Sequence, residues 1–211
     1  MTTVLLQTTY FGPVQWYQKL HRYDHVLIEQ YDSYQKQTYR NRCVIATANG
    51  LQTLTVPIEH DKLSMKSVAL KTKDLRISDH NQWRRIHWNA LQSAYSESPF
   101  FEYYADDIRP FFEKKYPFLT DFNEEICQTM CRLLDIRTHI EYTTEYYAVE
   151  SNASPTYSDF REVIHAKHPQ PDVDFQPKKY WQVFQYKYGF QANLSILDLL
   201  FCMGPESIFY L

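Results

Sequence analysis

Glycine is scarce, at 4 of 211 residues against a usual share of about 7%. No Gly-x-Gly-x-x-Gly, no Walker phosphate loop and no Gly-x-Ser-x-Gly elbow occurs, which argues against a Rossmann, P-loop or serine-hydrolase enzyme. A His-Glu-x-x-His pair is also missing. Charge of one sign is not in excess: 22 Lys and Arg stand against 25 Asp and Glu, a net charge of −3. That balance speaks against a general nucleic-acid binder, so any cationic site must be local. No apolar run approaches the roughly 18 residues that a membrane-spanning helix needs. Met1 to Gln7 lack a basic start and a long apolar stretch, so a cytoplasmic chain is expected. Its 4 cysteines are then expected to be reduced.

Aromatics are what the chain has in abundance: 18 Tyr, 13 Phe and 4 Trp. Thr2 to Gln7 reads as a strand, and Gly12-Pro13 leads into a helix with Val14, Tyr17 and Leu20 on one face. His25 to Glu29 has the continuous apolar run of a strand in the middle of a sheet. Arg42 to Ala48 and Leu51 to Pro57, joined through Asn49-Gly50, predict a hairpin with a type I′ turn. Lys66 to Thr72 alternates like an edge strand. Trp83, Ile86, Ala90, Leu91 and Ala94 keep the 3.6-residue period, and Ser98-Pro99 reads as the cap of a helix carrying Phe101, Tyr104 and Ile108. Asp121 with Glu124 looks like a capping box for a third helix whose stripe is Ile126, Met130, Leu133 and Leu134. Ile136 to Thr143 suggests a strand, residues 150–179 a long loop able to serve as a lid, and Ser195 to Gly204 a capped helix. Together these predict one α/β domain over residues 1–211, a mixed sheet with a tight hairpin, covered by helices.

The most site-like stretch is Tyr31 to Arg42. If its second half is extended, Lys36, Thr38, Arg40 and Arg42 share one face. Three cations on one strip suit a phosphate, diphosphate or carboxylate, against the plainer alternative of a solvated charged arm. His87 lies on the apolar stripe of its helix, as a core histidine or a general base, and His80 reaches the same face if the helix starts early. His165 and His168 lack a third ligand at a diagnostic spacing, so no metal site is expected. Cys127 and Cys131, one turn apart beside Ile126 and Met130, read as small buried hydrophobes. Asp198, three residues after Ser195, reads first as a helix-terminus carboxylate.

Several segments in this order resemble the WbqC-like family: Tyr10-Phe11-Gly12-Pro13-Val14-Gln15-Trp16-Tyr17, Glu29 with Tyr34 to Cys43, Leu54-Thr55-Val56-Pro57, Ser93-Ala94-Tyr95 with Ser98-Pro99-Phe100-Phe101, and Leu194 to Leu200. The family pattern singles out Tyr10, Pro13, Lys36, Asn41, Arg42, Tyr95, Ser98, Pro99, Ser195 and Asp198. Where relatives carry His-Gln-Pro near the first strand, this chain has Gln7-Thr8-Thr9-Tyr10, so chemistry resting on that histidine does not carry over. The resemblance implies a step in making or modifying an activated sugar for O-antigen or other surface polysaccharide. On that footing Lys36, Arg40 and Arg42 would hold the phosphate of a ligand such as a nucleotide-sugar, Asn41 and Tyr34 would orient its sugar or acyl group, Tyr95 would close a wall, and His87 would be the base of a transferase. No cofactor is named by the residues. A non-catalytic accessory protein and a stand-alone binder of anionic metabolites are the competing readings.

Overall fold

The structure is a computed structural model that describes residues 2–59, 70–148 and 157–211. Two apolar runs build its centre: β1 (Thr3–Gln7) and β2 (His25–Glu29) pair in parallel register, Thr3 opposite His25 through Gln7 opposite Glu29. The crossover between them is α1 (Val14–Arg22), opened by Pro13 as the sequence suggests. Val4, Leu5 and Leu6 are all fully buried, as expected for a parallel strand covered on both faces. β5 (His139–Tyr142) adds alongside β2, and the two-residue β6 (Ser158–Asp159) alongside β1, giving a parallel sheet in the order β5-β2-β1-β6.

Antiparallel pairing is confined to a separate hairpin of β3 (Arg42–Thr47) and β4 (Gly50–Thr55). The expected α/β architecture is therefore present, with parallel and antiparallel pairing divided between two sheets. The turn differs from expectation. Thr47 pairs with Gly50, so Ala48-Asn49 is the loop, and among the turn residues the positive φ falls on Gly50 alone at 101°. A type I′ turn needs two such residues; here one left-handed glycine suffices.

The helices are α2 (Trp83–Tyr95), α3 (Phe101–Ile108), α4 (Leu119–Leu133), the single-turn α5 (Gln185–Tyr188) and α6 (Ile196–Met203). In α2 the buried residues are Trp83, His87, Leu91, Ala94 and Tyr95, while Ile86 is 51% exposed. The apolar stripe is thus rotated onto the histidine. His80 lies in a preceding 3₁₀ turn, and positive φ at Asn81 and Gln82 breaks the path into α2, so it does not share the helix face with His87. Ser98 caps no helix: its hydroxyl donates to the Tyr95 carbonyl at 2.7 Å and closes the C-terminal end of α2. α4 begins at Leu119, two residues before Asp121, with no side-chain cap, so the capping box is not formed. Of the Lys66 to Thr72 strand, residues 66–69 lie outside the described residues; Lys71 makes one bridge to Ser33, and Thr72–Asp74 is a 3₁₀ turn.

Many of the aromatics are core. Tyr10, Phe11, Trp16, Tyr17, Tyr95, Phe122 and Phe201 are fully or almost fully buried and join the sheet residues in one hydrophobic cluster. Tyr10 stacks on Phe122 with ring centroids 5.6 Å apart, and Phe11 meets Phe111 edge-on at 5.8 Å, geometries that favour aromatic pairs. The cysteines are free and buried, and burial pushes the Cys43 thiol up to about 12. Such thiols behave as small apolar groups.

Candidate functional site

In an open parallel sheet the carboxyl ends of the strands converge on one edge, and ligands sit in the crevice outside it. Here those ends are Gln7, Glu29, Tyr142 and Asp159. Glu29 is fully buried, and its carboxylate gathers the loops that leave them: Oε1 accepts from the Tyr31 amide at 2.8 Å and the Thr143 hydroxyl at 2.9 Å, while Oε2 accepts from the Tyr147 amide at 3.0 Å and Arg161 Nη1 at 3.1 Å. Arg161 turns its other edge to Asp159, with Nε and Nη2 at 3.0 and 2.6 Å. Outside this knot opens a cleft of about 370 Å³ lined by Tyr31, Asp32, Ser33, Gln35, Lys71, Tyr146, Asp159, Arg161 and Glu162. It holds more carboxylates than cations, so its chemistry suits hydroxyl or amine donors with a ring against Tyr31 or Tyr146.

The segment from Tyr31 to Asn41 forms the partition. It is not extended as expected: turns occupy Lys36-Gln37 and Tyr39-Arg40, and Gln37 has a φ of 64°. The expected face of Lys36, Thr38, Arg40 and Arg42 is broken up accordingly. Thr38 is buried, with its hydroxyl donating to the Gln35 carbonyl at 3.1 Å. Arg40 is buried as well, and its Nη2 is paired with Asp32, whose second oxygen accepts from the Thr72 hydroxyl at 2.5 Å. Bonds to its carbonyls fix the partition: the Tyr10 amide donates to the Tyr39 carbonyl at 2.9 Å, and the Asn123 side-chain amide of α4 to the Arg40 carbonyl at 2.8 Å.

On the other side lies a second cleft of about 330 Å³, lined by Tyr34, Lys36, Gln37, Asn41, Arg42, Thr55, Val56, Pro57 and Ile58. Tyr34, Lys36, Asn41 and Arg42 are therefore brought together. Arg40 does not line this surface, but it is close enough that, with Arg42, its charge lowers the Tyr34 phenol against the larger raising effect of burial. The same two arginines act on His165, whose ring is lowered first by burial. The His165 and His168 rings lie tilted with centroids 5.7 Å apart, and His165 Nδ1 accepts from the backbone amides of Lys167 and His168. Several polar atoms around the partition are shut off from solvent without a hydrogen-bond partner: Arg40 Nε and Nη1, Asn41 Oδ1 and Arg42 Nε. Buried polar groups are nearly always satisfied, so these atoms stand out by lacking a partner.

Two other sequence-predicted residues sit elsewhere. His87 is packed against Tyr10, Trp83 and Phe112 and lines neither cleft; Nδ1 lies 2.9 Å from the Tyr10 hydroxyl, and burial pulls its pKa down to about 4. Tyr95 is fully buried and donates to Asp198 Oδ1 at 3.0 Å. Asp198 also accepts from the Tyr180 hydroxyl and Gln182 Nε2, each at 2.9 Å. It stands in the first turn of α6, as expected, and is a core acceptor as well; Ser195 caps the helix, accepting from the Leu197 amide at 3.4 Å. The Glu29, Asp159 and Arg161 knot went unread in the sequence. Its one local signal is a charged residue closing an apolar strand at Glu29, and its partners arrive from the distant β6 loop.

A sequence model of the WbqC-like protein family matches residues 7–172. The chain belongs to that family. The protein described as uncharacterised protein Rv1507c, from Mycobacterium tuberculosis, is 26% identical over 212 residues, covering 89% of this chain and 87% of that one. No solved structure matches. Among the described residues no helix is long and apolar enough to cross a membrane.

Proposed function

We propose that the protein is a transferase-type enzyme acting on a phosphate-bearing donor, such as a nucleotide-sugar, in surface-polysaccharide synthesis. The observation that carries this reading is the convergence of Lys36 and Arg42 with Tyr34 and Asn41 on one cleft. Arg42 supplies planar paired donors for phosphate and Lys36 a mobile point charge. Asn41 and the Tyr34 ring flank a sugar or base in this cleft. Arg40, held by Asp32, acts as a positioning residue. The neighbouring acid- and tyrosine-lined cleft suits the hydroxyls of a sugar, with Asp159, Arg161 and Glu162 of the 157–179 segment as one wall. His87 has no part in this reading, because its ring faces aromatic core.

Thermal stabilisation of the purified protein by nucleotide-sugars, nucleotides, acyl-CoA and pyrophosphate tests the proposal, with Lys36→Ala and Arg42→Ala alongside. A ligand present at 100 times its dissociation constant adds about 2.7 kcal/mol, and that gain should disappear in Arg42→Ala. No stabilisation by any of the four, or stabilisation unchanged in both variants, refutes it. An accessory-protein reading has its own observation, since exposed Tyr186 shares α5 with Tyr188, which lines an apolar cleft with Leu51. Failure of the ligand screen would favour it.

A further inference from the structure

At the opposite, amino-terminal edge of the sheet the register assembles a second group of ligating side chains. β2 and β5 both begin with histidine, and in their parallel pairing His25 lies directly opposite His139. Side chains alternate along a strand, so Glu141, two residues beyond His139, returns to the same face. The two imidazoles stack with centroids 5.2 Å apart and planes at 23°. Both aim Nε2 at one carboxylate: His139 Nε2 is 2.8 Å from Glu141 Oε1, and His25 Nε2 is 3.4 Å from Oε2. His25 Nε2 is shut off from solvent and makes no hydrogen bond. The ligand atoms of the three residues all lie within 4.8 Å of one another.

We propose that His25, His139 and Glu141 bind a divalent transition-metal ion, zinc by preference. Two imidazole nitrogens and one carboxylate oxygen are the donor set for zinc, whereas calcium and magnesium take all-oxygen shells. Metal-to-ligand bonds of about 2.0–2.2 Å at tetrahedral angles separate neighbouring donors by roughly 3.3 Å, close to the separations found here. As a bare ion pair on a sheet edge the group would contribute little to stability. With a metal, it clips the four-residue edge strand β5 to the central β2. Three protein ligands leave one position open, and the exposure of His139 (68%) and Glu141 (54%) gives the ion a path in. The ion lies away from the clefts, because β2 carries His25 at one end and Glu29, beside the clefts, about 13 Å away at the other.

His165 and His168, the adjacent pair in the sequence, provide the control. Untagged protein stripped with chelator is titrated with Zn²⁺ against a chromophoric competitor, and its melting temperature is followed in parallel. One equivalent of Zn²⁺ should bind and raise the melting temperature, and Co²⁺ should give the visible absorption of a tetrahedral site. His139→Ala and Glu141→Gln, both exposed positions, should each weaken binding at least roughly tenfold and abolish the thermal gain. A His165→Ala/His168→Ala double variant should bind like the wild type. Absence of Zn²⁺ binding by the wild-type protein, binding unchanged in His139→Ala and Glu141→Gln, or binding lost in the double variant would each overturn the proposal.

Discussion

Two buried titratable groups with opposite pH responses set a test of the core. Burial raises Asp198 from 3.8 to about 6, with the three hydrogen bonds it accepts working in the other direction. Burial lowers His87 from 6.5 to about 4. Between pH 3.8 and 6 folded Asp198 keeps a proton that the unfolded chain releases, so its contribution to stability is full below pH 3.8 and is lost as pH rises through 6. Between pH 6.5 and 4 unfolded His87 gains a proton that the folded ring refuses, so its contribution is lost as pH falls. At about 1.4 kcal/mol per unit of displacement, each is worth about 3 kcal/mol, and over pH 4 to 6 the two nearly cancel. Asp198→Asn should unmask the histidine: relative to wild type, the variant loses about 3 kcal/mol between pH 7 and 4. His87→Gln should do the reverse, and the double variant should return close to the wild-type profile. Urea unfolding at constant temperature and stepped pH measures this, because the difference between wild type and variant removes every other titrating group. A difference between wild type and Asp198→Asn that stays constant within about 1 kcal/mol from pH 7 to 4 would refute the reasoning.

Two further outcomes follow from the geometry. A Cβ on Gly204, where φ is 54°, would stand 2.6 Å from the Phe100 ring, so Gly204→Ala should lower stability by at least about 2 kcal/mol. Gly50→Ala, at a φ of 101° with nothing within 4 Å, should cost only about 1 kcal/mol in the same denaturation assay; equal costs would show that the ring contact is unimportant. Arg161→Met leaves Glu29 and Asp159 without their shared cation, a loss of about 3–5 kcal/mol, and Glu29→Gln should cost less in that variant than in the wild type. Additive losses in that double-mutant cycle would mean the pair is not coupled.

The strands and helices were legible because their signals are local. An apolar run marks β1 and β2, Pro13 marks the start of α1, and Gly204 ends α6. Capping was read less well. Ser98 and Asp121 have the right chemistry to cap, but the backbone places Ser98 at the end of α2 and Asp121 inside the first turn of α4. At the candidate site, Lys36, Asn41 and Arg42 line one cleft and also lie close together in the chain, which makes their grouping legible. The division of the strip is not legible in the sequence, since the turn at 39–40 is tied by bonds to the distant Tyr10 and Asn123. Nothing local pairs Glu29 with Arg161 or His25 with His139; only the strand order does.

The residues that carry the family resemblance divide along the same physical line. Tyr10 to Tyr17 and Leu194 to Leu200 meet in space: the Val14 amide donates to the Leu194 carbonyl, the Ile196 amide to the Gly12 carbonyl, each at 2.9 Å, and the Ser195 hydroxyl to the Phe11 carbonyl at 2.7 Å. Ser195 also donates its amide to Val44 of β3 at 2.8 Å, so this junction ties the hairpin to α1 and α6. Tyr95 of α2 completes it by donating to Asp198 of α6. These side chains are spent on holding the two sheets together and are closed to solvent. Lys36, Asn41 and Arg42 instead reach a cleft from a partition that the junction orients, through Tyr10 and its bond to Tyr39. A substitution in the first set should therefore change stability and the cleft together. One at Lys36 or Arg42 should change the cleft alone, which is why those two positions are the place to separate function from folding.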